Sequence, residues 1–204
     1  MKKRRINLRS LTSDEVEQLE QEIESKEKEL MRVKEELVTL RKQLPTVTAK
    51  DYTFTTSGGE KVHLSELFGD KNELIVIHNM GKSCSYCTLW ADGFNGFTKH
   101  IENRASFVLT SPNDFQTLAE FSKSRGWAFN CVSTEGTTFK EDFGFKDEKG
   151  FPLPGVSVFI KNDDGRIEHY TKASFGPGDD YCSIWSLFEL LPEGSNGWGP
   201  KVHY

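Results

Sequence analysis

Along residues 12–44 the apolar positions step by three and four: Val16, Leu19, Ile23, Leu30, Val33, Leu37, Leu40 and Leu44, with Lys26 the one polar residue on the seam. The stretch is dense in Glu, Lys and Leu and free of Gly, Pro and aromatics, so the spacing predicts one long helix. Thr12, with Glu15 three residues later, supplies a capping box for the first free amides; Pro45 ends the run because it has no N–H to continue the ladder. Four heptads with one polar seam residue describe a coiled coil, in which Lys26 favours one register or partner number at some cost in stability. A narrow seam alone does not name its partner. The helix either packs along its own domain or pairs with a second copy through residues 14–44 as a homodimer.

After residue 50 the period changes. "YTFTTSGGEKVHL" alternates on either side of a Ser-Gly-Gly turn and predicts a β-hairpin. "ELIVIHN" is apolar on both faces, as a central strand in a covered sheet must be. From Cys84 to about Arg104 the pattern is helical, with a kink expected at Gly93 and Gly96. "SFVLTS" is a strand, "PNDFQTLAEFSKSRG" a helix and "WAFNCVS" a strand, an order that implies parallel pairing through right-handed crossovers. Residues 134–150 read as a loop with one helical turn; "GVSVFI" and "RIEHYTK" flank Asn-Asp-Asp-Gly as a second hairpin; "DYCSIWSLFELL" closes the chain as an amphipathic helix.

Composition narrows the function classes. The 204 residues hold 31 acidic and 26 basic side chains for a net charge of −5, mostly interspersed, which argues against a nucleic-acid surface built on a broad basic field. The one basic block, Lys2-Lys3-Arg4-Arg5, reads as a solvated tail. No apolar run reaches the ~20 residues of a membrane helix, and no secretory apolar region follows the basic start, so a soluble, cytoplasmic protein with no membrane partner is expected. Four cysteines, at 84, 87, 131 and 182, are too few and too unevenly spread for a disulfide-stapled secreted domain.

The candidate chemistry lies in "NMGKSCSYCTLW", residues 79–90. A cysteine where a loop becomes a helix faces unpaired amides and the positive end of the macrodipole, which stabilise a thiolate. Cys84 is there, and Cys87, almost one turn on, is close enough to close a small disulfide ring. Attack by Cys84 on a substrate disulfide gives a mixed disulfide that Cys87 resolves, with no cofactor. Zinc sites also use this spacing, but structural zinc needs four ligands. Cys131 and Cys182 are single, and the five histidines supply no second pair, so no metal is expected. Pro154 precedes a strand expected beside the cysteine loop. A cis peptide there would leave main-chain groups open to an extended substrate; taken alone, X-Pro before a strand is an ordinary turn.

These segments together resemble the thioredoxin fold in its peroxiredoxin-like form, with an N-terminal hairpin ahead of the core, over about residues 50–192. "KEKELMRVKEELVTLRKQLP", "DYTF", "CSYCTLWADGFNGF", "RGWAF" and "LPGVSVF" are similar to a family of thioredoxin-like proteins described as predicted dithiol-disulfide oxidoreductases. The resemblance implies an α/β fold with a central mixed sheet flanked by helices, residues 48–204 forming the domain and 1–47 a helical arm. It implies Cys84 as the attacking cysteine, Cys87 as the resolving one, and Pro154 at the place of the fold's cis-proline. His78, six residues before Cys84, stands where thioredoxins keep a buried acid that moves the resolving cysteine's proton; it reads either as an imidazole doing that work near neutral pH or as a satisfied core histidine. Tyr86 and Trp90 join Pro154 as candidates for substrate contact. The expected partners are a disulfide-containing substrate and a thiol reductant. Two rivals are a peroxiredoxin-like thiol peroxidase, against which the loop has Ser83 directly beside Cys84 and no proline, and a non-catalytic coiled-coil scaffold.

Overall fold

A computed structural model describes residues 11–204; the basic block at residues 2–5 lies outside them. The chain divides into two units between Leu44 and Pro45. The first is helix α1 (Ser13–Gln43), started by the predicted capping box: Glu15 N donates to Thr12 Oγ1 at 3.3 Å and Thr12 N donates to Glu15 Oε2 at 2.8 Å. No residue of α1 is buried.

The second unit is built on one mixed sheet of eight strands, in the order β1-β8-β7-β4-β5-β6-β2-β3. In chain order these are β1 (Val47–Thr48), β2 (Thr53–Thr56), β3 (Lys61–His63), β4 (Glu73–His78), β5 (Ser106–Ser111), β6 (Asn130–Ser133), β7 (Gly155–Lys161) and β8 (Ile167–Ser174). The helices are α2 (Ser85–Arg104), α3 (Phe115–Arg125), α4 (Phe139–Asp142) and α5 (Ile184–Glu189). As the continuous apolar run predicts, β4 is central: it runs parallel to β5 and antiparallel to β7, with His78 opposite both Thr110 and Gly155.

Period-two alternation sends β4 into two cores. Leu74, Val76 and His78 face a phenylalanine-rich cluster with Phe54, Phe68, Phe139, Phe145 and Phe159. Ile75 and Ile77 face a second cluster that holds Cys87, Trp90, Phe107, Leu109 and Trp185. Each large side chain so buried contributes roughly 1.5–3 kcal/mol.

The expected hairpin, β2–β3, is present and docks on the sheet, with β2 pairing to β6 through Thr55–Ser133 and Thr56–Val132. One expectation changes. Helix α2 runs unbroken through Gly93 and Gly96, because Cys87, Thr88, Trp90, Ala91 and Thr98 bury one long face and packing outweighs the glycine cost. The closing helix α5 is only six residues long and buries Trp185 alone.

Candidate active site

The site begins where β4 leaves the sheet. Asn79 N donates to the Thr110 carbonyl at 2.9 Å, and Asn79 Oδ1 accepts from Gly81 N at 2.6 Å, turning the chain at once. Gly81 has φ +109°, and a Cβ there would lie 3.0 Å from Asn113 Oδ1, the atom that also accepts from Lys82 N at 2.9 Å. Only glycine fits this turn. Cys84 N donates to the Gly81 carbonyl at 3.1 Å, and α2 starts on the next residue.

Cys84 is therefore the N-cap of a 20-residue helix, and its sulfur does the capping: Cys87 N donates to Cys84 Sγ at 3.1 Å. Both cysteines are free thiols; Cys84 is half-buried and Cys87 buried. The Cys87 thiol hydrogen-bonded to it, followed by the Cys87 and Tyr86 amides, brings the Cys84 thiol down to about 6 against the opposing effect of burial. The same hydrogen bond and burial push Cys87 far up, although Met80 N donates to its sulfur at 3.4 Å. At neutral pH the pair is one accessible thiolate beside one protected thiol. Cys131 and Cys182 are buried, with thiols raised by burial, Cys131 to about 12.

His78 is 1% exposed, sandwiched against Phe145 at 3.7 Å and Phe139 at 5.5 Å between ring centroids. Its Nε2 is 3.0 Å from Ser157 Oγ, while Nδ1 has no partner. Burial, then the charges of Lys140, His169 and Lys172, hold it well below the usual imidazole range. The expectation of an imidazole titrating near neutral pH is thus corrected: in this apolar, positively charged setting the ring stays neutral. Alternation also turns it into the phenylalanine core, on the face of β4 away from Ile77 and the cluster that holds Cys87.

Pro154 does stand beside the site, since Gly155 pairs with His78. The cis expectation fails: among the described residues every peptide bond is trans. The segment runs extended into β7, and its main-chain groups are engaged, Leu153 N on the Phe145 carbonyl at 2.8 Å and the Pro154 carbonyl accepting from Phe175 N at 3.1 Å. Trp90 is 2% exposed, with Nε1 donating to Asp179 Oδ1 at 3.3 Å; it packs behind Tyr86 and offers no ring face at the surface. Tyr86 is half-buried, its ring 6.1 Å from Trp90 and 6.2 Å from Trp185. The C-terminal segment reaches the same place: a Cβ on Gly199 would lie 3.6 Å from the Tyr86 hydroxyl, Trp198 packs on Trp185 and Phe188, and Val202 O accepts from Arg125 Nη1 at 2.9 Å. Arg125 in turn pairs with Asp92 of α2.

Sequence reasoning missed one group. Lys140, on α4, is 5% exposed, and its Nζ has no hydrogen-bond partner. Burial pulls its amine down to about 7, opposed by the charge of Cys87. In sequence it stands between Phe139 and Glu141 with nothing to separate it from any solvated lysine. Among the described residues no group of three or more His, Cys, Asp or Glu is arranged to hold a metal, and no helix is long and apolar enough to cross a membrane.

The fold is that of thioredoxin-like peroxiredoxins. The peroxidoxin BcpB from Mycobacterium tuberculosis superposes with a TM-score of 0.53 at 21% identity, covering 63% of this chain and 84% of that one. The mitochondrial 2-cys peroxiredoxin from Plasmodium falciparum gives 0.53 at 18%, covering 77% and 100%, and a PrxQ mutant from Xylella fastidiosa 0.51 at 16%, covering 63% and 84%. No curated protein matches the chain significantly. A family model described as "Bacterial protein of unknown function (DUF899)" matches residues 7–202.

Proposed function

Because the chain belongs to the family of bacterial proteins of unknown function DUF899, whose description assigns no activity, we propose an activity from the site itself: a thiol–disulfide oxidoreductase that exchanges its Cys84–Cys87 dithiol with protein or small-molecule disulfides. The observation that carries the reading is the division of labour between the two sulfurs. Cys84 Sγ takes the Cys87 amide as the cap of α2 and is held ionised, whereas Cys87 keeps its proton behind it. The thiolate attacks the substrate disulfide, one substrate thiolate leaves, and Cys87 then attacks Cys84 Sγ to release the second. Tyr86, at the surface beside Cys84, is the candidate for substrate contact, and a cytoplasmic thiol reductant would restore the dithiol.

The test is exchange with insulin or a small aromatic disulfide, followed by mass spectrometry. Cys84→Ser should lose activity by at least the ~10²-fold expected on removing the nucleophile; serine is a good N-cap, so the helix keeps its start. Cys87→Ser should accumulate a mixed disulfide at Cys84. Full activity in Cys84→Ser sinks the assignment. A peroxidase reading draws on the fold alone, and the cysteine loop supplies neither a threonine two residues away nor a proline; peroxide turnover exceeding disulfide exchange would favour it.

A second reading rests on α1, whose Leu19, Ile23, Leu30, Leu37 and Leu40 are all exposed. We infer that a second copy covers this seam in antiparallel orientation. Parallel pairing would set Lys26 against Lys26 and Glu22 against Glu27 of the other copy. Antiparallel pairing centred between Leu30 and Val33 sets Lys26 against Leu37, Glu20 against Arg41 and Glu27 against Lys34.

A further inference from the structure

The loop that delivers Cys84 also delivers a third sulfur. The turn closed by Asn79 Oδ1 on Gly81 N brings Met80, between them, against the start of α2. The Met80 amide donates to Cys87 Sγ at 3.4 Å, and its thioether Sδ lies 4.0 Å from Cys84 Sγ. From the helix side the Cys87 amide closes the group, donating to Cys84 Sγ at 3.1 Å. Met80 and Cys84 are partly exposed at the edge of the second core, and Cys87 is buried behind them. One residue thus touches both cysteines, and two thiol sulfurs and a thioether sulfur share one opening to solvent.

This donor set selects its ion. A structural zinc site requires four ligands, and among the described residues no histidine or carboxylate joins the two cysteines in a group able to hold a metal. Calcium and magnesium require oxygen, and Asn79 Oδ1 is already taken by Gly81 N at 2.6 Å. Thiolate and thioether sulfurs are soft ligands and select monovalent copper. An ion at the centre of a trigonal plane, bonded to sulfur at ~2.3 Å as in a zinc–thiolate bond, sets its ligands about 4 Å apart. That is the Met80–Cys84 separation as it stands, so these two sulfurs can share an ion without moving.

We propose that Met80, Cys84 and Cys87 form a binding site for Cu(I), with two thiolates and one thioether around the ion. The proposal is independent of the exchange reaction: it requires only that both cysteines be reduced, as they are here. Copper arrives as Cu(I) on a low-molecular-weight thiol and stays Cu(I), so no electron is transferred. Two copper–thiolate bonds and one copper–thioether bond form, and the bond from copper to the carrier sulfur breaks. The carrier leaves as its free thiol, taking the proton that Cys87 gives up as it binds. Cys84, ionised at neutral pH, has none to give. Copper and a disulfide substrate therefore exclude one another, because a Cys84–Cys87 disulfide leaves no thiolate for the ion.

The experiment is an anaerobic titration of the reduced full chain with Cu(I) held by bicinchoninate, whose coloured complex reports the copper it gives up. The native protein should take one copper per chain. Met80→Leu, a swap of similar volume, should bind at least about tenfold more weakly, the smallest loss expected on removing even an outer-shell partner of a metal ligand. Cys84→Ser and Cys87→Ser should each lose more. To identify the third ligand, the native chain is prepared with selenomethionine and loaded with copper. X-ray absorption at the copper edge should show one selenium beside two sulfurs, and the selenium should disappear in Met80→Leu.

Two sulfurs with no selenium around the copper overturns the proposal, and this readout needs no variant to fold. Equal affinity in Met80→Leu, or one copper shared between two chains, overturns it as well. The two readings fail separately: full exchange activity in Cys84→Ser ends the dithiol reading alone, since copper binding is read without turnover.

Discussion

At the scale of single residues the site is governed by where one proton sits. The folded chain holds the Cys84 thiol near 6, below its unfolded value, so the thiolate stabilises the reduced fold at pH above the ordinary thiol range and that contribution is lost as pH falls through 6. Cys87, raised by the fold, acts in the opposite sense once the unfolded chain ionises it near pH 9. The melting temperature of the reduced protein, relative to the oxidised form, should therefore climb between pH 6 and about 8.5 and then turn down as the unfolded chain ionises Cys87. Scanning calorimetry with and without reductant reads this directly, and the climb should vanish in Cys84→Ser. The two cysteines were legible in sequence because their spacing and their place after a strand are local facts. Lys140 was not. Its burial comes from the packing of α4 on Tyr52, Phe54 and Phe159, residues distant from it in the chain.

At the scale of elements, strands and helices followed their periodicities closely, and what escaped was their pairing. Two-residue β1 carries no pattern of its own; it exists because Val47 and Thr48 find His169 and Glu168 on β8. The start of β7 is likewise set by its neighbours, Gly155 pairing with His78 on one side and Ser174 on the other. Gly155 shows how tight that entry is, since a Cβ there would lie 2.3 Å from Phe145 Cε1 and 2.4 Å from the Ala173 carbonyl. Gly155→Ala should cost about 1–3 kcal/mol and lower the melting temperature. If it melts like the native protein, that packing has been misjudged. For α1, Ile23→Glu in the full chain should convert a dimer into a monomer by light scattering, with the melting of residues 45–204 unaffected. A native monomer would end the antiparallel pairing, and Lys26→Leu should strengthen the dimer if it holds.

At the scale of the whole molecule, the domain joins a local site to distant supports. The sheet order brings β7, last but one in sequence among the strands, against the central β4, while the early hairpin closes the far edge beyond β6. Sequence order suggested the parallel core of β4, β5 and β6 but not where the hairpins would dock, because strand pairing at an edge is decided by which apolar faces remain uncovered. The final residues show the same logic. Arg125 holds the carboxylate of Asp92 with one part of its fork and the main chain at Val202 with another, so one guanidinium ties the flank of α2, the end of α3 and the C-terminal segment together. That segment leans on the ring that borders Cys84. Trimming that segment would remove a partner of the Arg125 guanidinium and a neighbour of the Tyr86 hydroxyl at once, so α2 should register a change made far from it in sequence.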